Sequence, residues 1–182
     1  MDMTCNKESW ADQVKCLEKT GLCNMAVETI DRPCLEGFGD KLALIWCNYI
    51  GEERRYTFSQ LSAATDSFAA GLKRSGIEKG DRVFVYMEKV PENYIALLSI
   101  IKTGAIACPL FSGFGRMALM ERVMDGEASF IITSQTLFSD VHEISGRLEN
   151  LKGIIVYPEI PAGIKFEKIP RIFSYSDLLL KD

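Results

Sequence analysis

The chain has 182 residues, 47% hydrophobic, 25% charged and 10% aromatic, with 21 Lys+Arg against 25 Asp+Glu for a net charge of −4. This composition excludes a disordered, collagen-like or low-complexity chain, and the weakly acidic balance speaks against duplex nucleic acid or an anionic membrane as a main partner. A chain of this size buries roughly 70% of its unfolded surface and needs no disulfide or metal staple. The start, Met1-Asp-Met-Thr-Cys5, has neither the basic nor the apolar region of a signal peptide. The most apolar window, Tyr94–Phe111, is broken by Lys102, Gly104 and Pro109, so it falls short of the roughly 20 apolar residues of a membrane span. A cytoplasmic protein is expected. The six cysteines form no C-x-x-C, and His142 is the lone histidine, which favours reduced, packed thiols over a zinc site.

In chain order, Asn6 suits the cap of a helix carrying Trp10, Val14 and Leu17 and stopped by Gly21. Asn24 suits the cap of a second, short helix through Ile30, before Pro33. Leu42–Cys47 and Arg55–Phe58 read as strands, with Ile50-Gly51-Glu52 as the hairpin between them. Thr57-x-x-Gln60 is a capping box for a helix with an apolar stripe of Leu61, Ala64, Phe68 and Leu72, ended by Gly76. Gly80-Asp81 is a turn before a buried strand, Arg82–Met87. Pro91 fits the first position of a helix that runs to Gly104, with Ile95 and Leu98 on its buried side and Leu97, Ile100 and Ile101 widening it.

Ala105–Phe111 reads as a strand whose Pro109 marks an end or a bulge. Arg116–Met124 reads as a helix and Ala128–Thr133 as a strand. Ser134 suits the cap of a helix to about Leu148, and Gly153–Tyr157 is a strand. The prolines at 158, 161 and 170 predict a surface loop, and Leu178-Leu179-Leu180 is an apolar triplet in want of a packing partner. Together these predict an α/β fold: N-terminal helices and a β-hairpin, then a parallel βαβαβαβ sheet with helices on both faces. The division is 1–58 for the helices and hairpin, 59–157 for the parallel α/β unit, and 158–182 for a proline-containing loop and short C-terminal helix.

Gly113-Phe-Gly115-Arg-Met-Ala118 matches G-x-G-x-x-A between a strand and a helix, the setting of a phosphate-binding turn. The acidic residue that would hold a ribose at the end of the next strand is missing, since that end reads Thr133-Ser134-Gln135. The turn therefore supports either a non-catalytic nucleotide-binding module or a plain tight turn. No G-x-x-x-x-G-K-[ST] loop is present. Cys108 lies in an apolar strand and His142 on a polar helix stretch, a poor basis for thiol catalysis. Arg54-Arg55 reads as a solvated basic pair, and Arg122 and Asp125 as a local helix pair.

The residues Tyr56-Thr-Phe-Ser-Gln-Leu61, Lys79-Gly-Asp-Arg-Val83, Pro91-Glu92 and Ile101-Lys-Thr-Gly-Ala-Ile106 occur in an order that resembles the core motifs of the adenylate-forming (AMP-dependent synthetase and ligase) family. Pro109-Leu-Phe-Ser-Gly-Phe-Gly115, Ala118-Leu119, Glu121-Arg122, Asp125 and Ile131-Ile-Thr-Ser134 look most like its acetyl-CoA synthetases. The resemblance runs from about Asn24 to Ser134 and implies a two-step ligation. A carboxylate attacks the α-phosphate of ATP with Mg²⁺, and CoA thiolate then displaces AMP.

In that family the phosphate loop, the ribose clamp and the catalytic lysine come later than the stretch matched here. The resemblance thus implies no catalytic residue and no metal ligand in this chain, and inactivity of the chain alone. It implies small-molecule substrates and ATP, CoA and Mg²⁺ as cofactors of the complete enzyme, with none bound tightly here. Self-association or pairing with a complementing ligase segment is expected. One site residue is implied: Gly113 matches the glycine that lines the pantetheine channel, and the other reading of it is a turn glycine needing positive φ. The stretch Gln135–Ser139 carries no basic residue where the family places an arginine for the CoA phosphate, and Arg116-Met117 stand where Pro-Glu is common.

Overall fold

The computed structural model describes residues 23–163 and 171–179; the helix expected after Asn6 lies outside them. Asn24 caps as predicted, its Oδ1 accepting from the N–H groups of Ala26 and Val27, while its Nδ2 donates to the Ile101 carbonyl at 2.7 Å. The helical run does not stop before Pro33. It continues as two π-helical turns, Val27–Asp31 and Cys34–Phe38, with Pro33 at the cap of the second, where a missing N–H costs nothing.

Strands β1 (Leu42–Cys47) and β2 (Glu53–Thr57) form the antiparallel hairpin, pairing Leu44 with Tyr56 and Trp46 with Arg54. Asn48 builds its turn by accepting from the N–H groups of Ile50 and Glu52, and Gly51 supplies the positive φ of 87°. Helix α1 (Phe58–Ser75) opens on the predicted reciprocal Thr57–Gln60 capping box and ends on Gly76 at φ 98°. Its buried side holds Leu61, Phe68 and Leu72.

The main sheet follows: β3 (Arg82–Tyr86), α2 (Pro91–Thr103), β4 (Ile106–Leu110), α3 (Arg116–Asp125), β5 (Phe130–Ser134), α4 (Phe138–Ser145) and β6 (Gly153–Tyr157). The strand order is β4-β3-β5-β6, parallel throughout, with a further strand β7 (Arg171–Ser174) added beyond β6. The short α5 (Tyr175–Leu178) comes after it. Helices α1 and α2 cover one face over Val83, Val85, Ile132 and Ile155. Helices α3 and α4 cover the other over Phe84, Tyr86, Ile131 and Ile154. The α/β class with helices on both faces therefore holds, and the sheet has five strands where the sequence indicates four.

Four local expectations change. Strand β7 lies inside the stretch read as loop, because four residues behind Pro170 are too short to show alternation. Ser134 does not cap α4; it ends β5, and its Oγ and carbonyl hold the Leu137 N–H in a turn that delays the helix to Phe138. Of the two readings of Pro109 only the bulge falls: the proline is the last residue but one of β4, in regular register, and β4 is the border strand, where proline is tolerated. On α2 the interior is taken by Ile95, Ala96, Ser99 and Ile100, while Leu97, Leu98 and Ile101 are only half-buried.

Two contacts tie the layers together. The Lys102 ammonium group is almost buried between Asp31 (2.6 Å) and Asp66 (2.7 Å), joining the first helical turns, α1 and α2. The end of α5 seats on Gly71 of α1, where an added Cβ would stand 2.0 Å from the Leu178 carbonyl oxygen. Tyr175 stacks on Phe68 at 4.0 Å, and Arg74 donates to the same Leu178 carbonyl. This is the packing partner that the apolar run at 178 requires.

Candidate functional site

The loop after β3 leaves toward the α2 face, whereas those after β4 and β5 leave toward the α3–α4 face. That divergence puts a topological switch point at the carboxyl end of β3, the place where open α/β sheets hold ligands. Two sets of residues meet there.

The first is the turn Phe111–Gly115 between β4 and α3. The Phe114 N–H closes it on the Phe111 carbonyl. Phe114 is held three ways: its carbonyl accepts from the Tyr86 hydroxyl at 2.7 Å, the Arg122 guanidinium lies 4.1 Å from its ring centroid, and the Phe111 ring meets it edge-on at 5.7 Å. Arg122 also donates to the Ala118 carbonyl, so its partners are these and not the Asp125 expected from spacing. Gly115 caps α3 with ordinary φ and ψ and no side-chain bond. Arg116 turns away to Asp140 (3.1 Å) and Glu143 on α4.

Gly113 departs from one of its two readings. Its φ is not positive, so no turn geometry demands glycine. What a Cβ would meet is the Phe111 ring, 2.5 Å from Cε1 and 2.9 Å from Cζ.

The second set was not legible in the sequence. Glu88, just past β3, accepts from the Thr136 hydroxyl at 2.5 Å, and Thr136 and Ser134 share a hydrogen bond of 3.0 Å. Burial works to raise the Glu88 pKa, but the Ser134 and Thr136 hydroxyls and its own backbone N–H outweigh it and hold the carboxyl below its ordinary range. A carboxylate thus does stand at the end of β5, supplied by β3 and already engaged by hydroxyls.

Beside it, Trp46 donates to the Lys89 carbonyl. Arg54 forms a two-pronged bond to Glu92 (2.7 and 3.2 Å) with its guanidinium 4.8 Å from the Trp46 ring. Arg54 is therefore a strut from the hairpin to α2, not a solvated charge. Arg55 pairs with Glu53.

The thiol of Cys108 is pushed up by burial, partly offset by Arg82, which leaves it a poor nucleophile. His142 is half-buried and stacked on Phe138, not solvated as its polar neighbours suggest. Among the described residues no group of three or more His, Cys, Asp or Glu could hold a metal ion. Among them no helix is long and apolar enough to cross a membrane.

Comparison with known proteins identifies the family. Residues 32–169 match the family described as AMP-binding enzyme. The chain is 39% identical over 112 residues to the acetyl-coenzyme A synthetase of Magnetococcus marinus, covering 61% of this chain and 17% of that protein. It is 41% identical over 116 residues to that of Sinorhizobium fredii, covering 62% and 17%. The crystal structure of Brucella canis acyl-CoA synthetase superimposes with a TM-score of 0.70 at 22% identity, over 86% of this chain and 27% of that one, a likeness of fold. The chain thus spans less than a fifth of the length of these acetyl-coenzyme A synthetases. The resemblance carried by Tyr56–Leu61 and the later motifs holds, and the chain belongs to the AMP-binding enzyme family.

Proposed function

We propose that this chain is the N-terminal scaffold segment of an AMP-forming acetate–CoA ligase, that it contributes one wall of the thiol-arm passage at Gly113, and that it does not form an acyl-adenylate alone. In the complete enzyme, acetate, ATP and CoA give acetyl-CoA, AMP and pyrophosphate, with Mg²⁺ at the phosphates. The observation that carries this reading is identity of 36–41% to acetyl-coenzyme A synthetases over 112–119 residues, together with the match of residues 32–169 to the AMP-binding enzyme family.

The chemistry of the described residues supports a scaffold role. Adenylation develops charge on phosphate oxygens and needs aimed donors and cations. Here Arg54 and Arg116 are paired with Glu92, Asp140 and Glu143. The three stretches 1–58, 59–157 and 158–182 are units of this scaffold. It works in the cytoplasm on small-molecule substrates, without nucleic acid or membrane. Its partner is a second copy or a complementing ligase segment, met through exposed apolar residues such as Ile45, Ile106 and Met117.

The test is acetate-dependent pyrophosphate release by the pure 182-residue chain with ATP and Mg²⁺. The rate is expected to equal a protein-free blank, and release above the blank overturns the reading.

A further inference from the structure

Helix α3 carries three methionines at i, i+3 and i+7: Met117, Met120 and Met124. That spacing lays them along one side of the helix. Met117 is 64% exposed and Met124 49%, while Met120 between them is partly sunk against the core. Nothing in the fold asks for apolar side chains there, since Leu119 and Val123 already supply the buried side of α3. Beyond Met124 the stripe runs into a groove of about 270 Å³ between the end of α3 and the loop after α4, with Leu148 in its wall. Methionine side chains are unbranched and polarisable, so such a surface moulds to an apolar partner.

The charges beside the stripe are unequal. Glu121 and Asp125 on α3 and Glu149 at the groove are exposed and meet no cation among the described residues. The nearby cations are already engaged. Arg116 is held by Asp140 and Glu143, Arg122 lies on the Phe114 ring, and Arg147 rests on the Met120 sulfur at 3.5 Å. The surface thus joins apolar contact to spare negative charge. A second copy laid on the stripe about a two-fold axis would bring the acidic edge of Glu121 and Asp125 against its own equivalent, which like charges oppose.

We propose that the methionine stripe of α3, with the groove at its end, docks an amphipathic helix of a partner protein that carries lysine or arginine beside its apolar side. The apolar side lies on Met117, Met120 and Met124, and the cations meet Glu121, Asp125 and Glu149. This rests on the reading that exposed apolar residues such as Met117 meet a partner, and it narrows that partner at this surface to one other than a second copy.

The experiment labels the methionine methyl groups of the 182-residue chain with carbon-13 and titrates two synthetic helices. Both repeat leucine at i, i+3, i+4 and i+7; one has lysine on its polar side and the other glutamate. The lysine helix moves the Met117 and Met124 methyl signals and leaves that of the buried Met87 in place. It binds about tenfold tighter than the glutamate helix at low salt, and the advantage shrinks as salt is added. Met117→Ser with Met124→Ser weakens it about tenfold. Glu121→Lys with Asp125→Lys, at two exposed and unbonded positions, leaves the far-ultraviolet spectrum unchanged and transfers the preference to the glutamate helix.

Met117 and Met124 signals that stay still, equal binding of the two helices, or a lysine preference that survives the double lysine variant would overturn the proposal. So would a wild-type chain that sediments as a dimer while its Met117 and Met124 signals shift with its own concentration, which gives the stripe to a second copy. The ligase reading fails separately. A chain that releases pyrophosphate alone but shows the expected methionine shifts loses the inert-scaffold reading and keeps the docking surface. An ATP-inert chain with unmoved methionine signals does the reverse.

Discussion

Replacing Gly71 by alanine tests whether the carboxyl-terminal segment is an integral part of the core. The new Cβ would lie 2.0 Å from the Leu178 carbonyl oxygen and 2.8 Å from its carbonyl carbon, backbone atoms that no rotamer change can move. Alanine in mid-helix gains about 1 kcal/mol over glycine. Against this, unseating α5 exposes Tyr175 and Leu178, both nearly buried, at about 1.5–3 kcal/mol each. Part of that returns as chain entropy, so a net loss of about 2–4 kcal/mol is expected. With a urea slope near 2 kcal/mol per molar, the unfolding midpoint falls by roughly 1–2 M. Urea titration followed by far-ultraviolet circular dichroism measures this, and amide exchange over 171–179 shows whether β7 and α5 open first. A midpoint equal to or above wild type, with protection of 171–179 intact, would refute the seat on Gly71.

Two further perturbations probe the struts around the switch point. Arg54→Lys keeps the charge but can neither grip both Glu92 oxygens nor lie flat on Trp46. The site is partly open, so a loss of about 1 kcal/mol with a red-shifted Trp46 emission is expected, and an unchanged melt and spectrum would count against it. The carboxyls of Asp81 and Glu88 titrate below their ordinary range. Burial opposes this in both, but the Lys152 ammonium and Glu78 N–H at Asp81, and the hydroxyls at Glu88, prevail. Folded-state values below the unfolded ones give stability that is full above about pH 4 and lost as acidification proceeds through the folded values. The melting temperature should therefore fall steeply below about pH 4, and less so in Thr136→Val; an acid limb that Thr136→Val leaves unchanged would remove Glu88 from the account.

Much of the fold is legible in short-range patterns. The Thr57–Gln60 box, Pro91 at a helix start and Gly76 and Gly104 past helix ends are local rules obeyed by local atoms. Strands β1 and β6 fall where the apolar runs place them. What escaped is set by distant partners. Arg54 meets Glu92 across 38 residues, Glu88 meets Thr136 across 48, and Gly71 meets Leu178 near the other end of the chain. Strand β7 has four residues and relies on β6 for its register. Gly113 stands out in the sequence as a candidate, but what an added Cβ there would meet, the ring of Phe111, belongs to the folded turn.

The border strand carries its own safeguard. Because the Ile106 N–H points inward to the Asp81 carbonyl, the amides at 107, 109 and 111 point outward, and Pro109 takes the middle of that outward row. An invading strand would find a donor missing midway and a pyrrolidine ring in its path. Fibre-like growth from this flank is thereby interrupted, since the outward row of donors is broken at its middle.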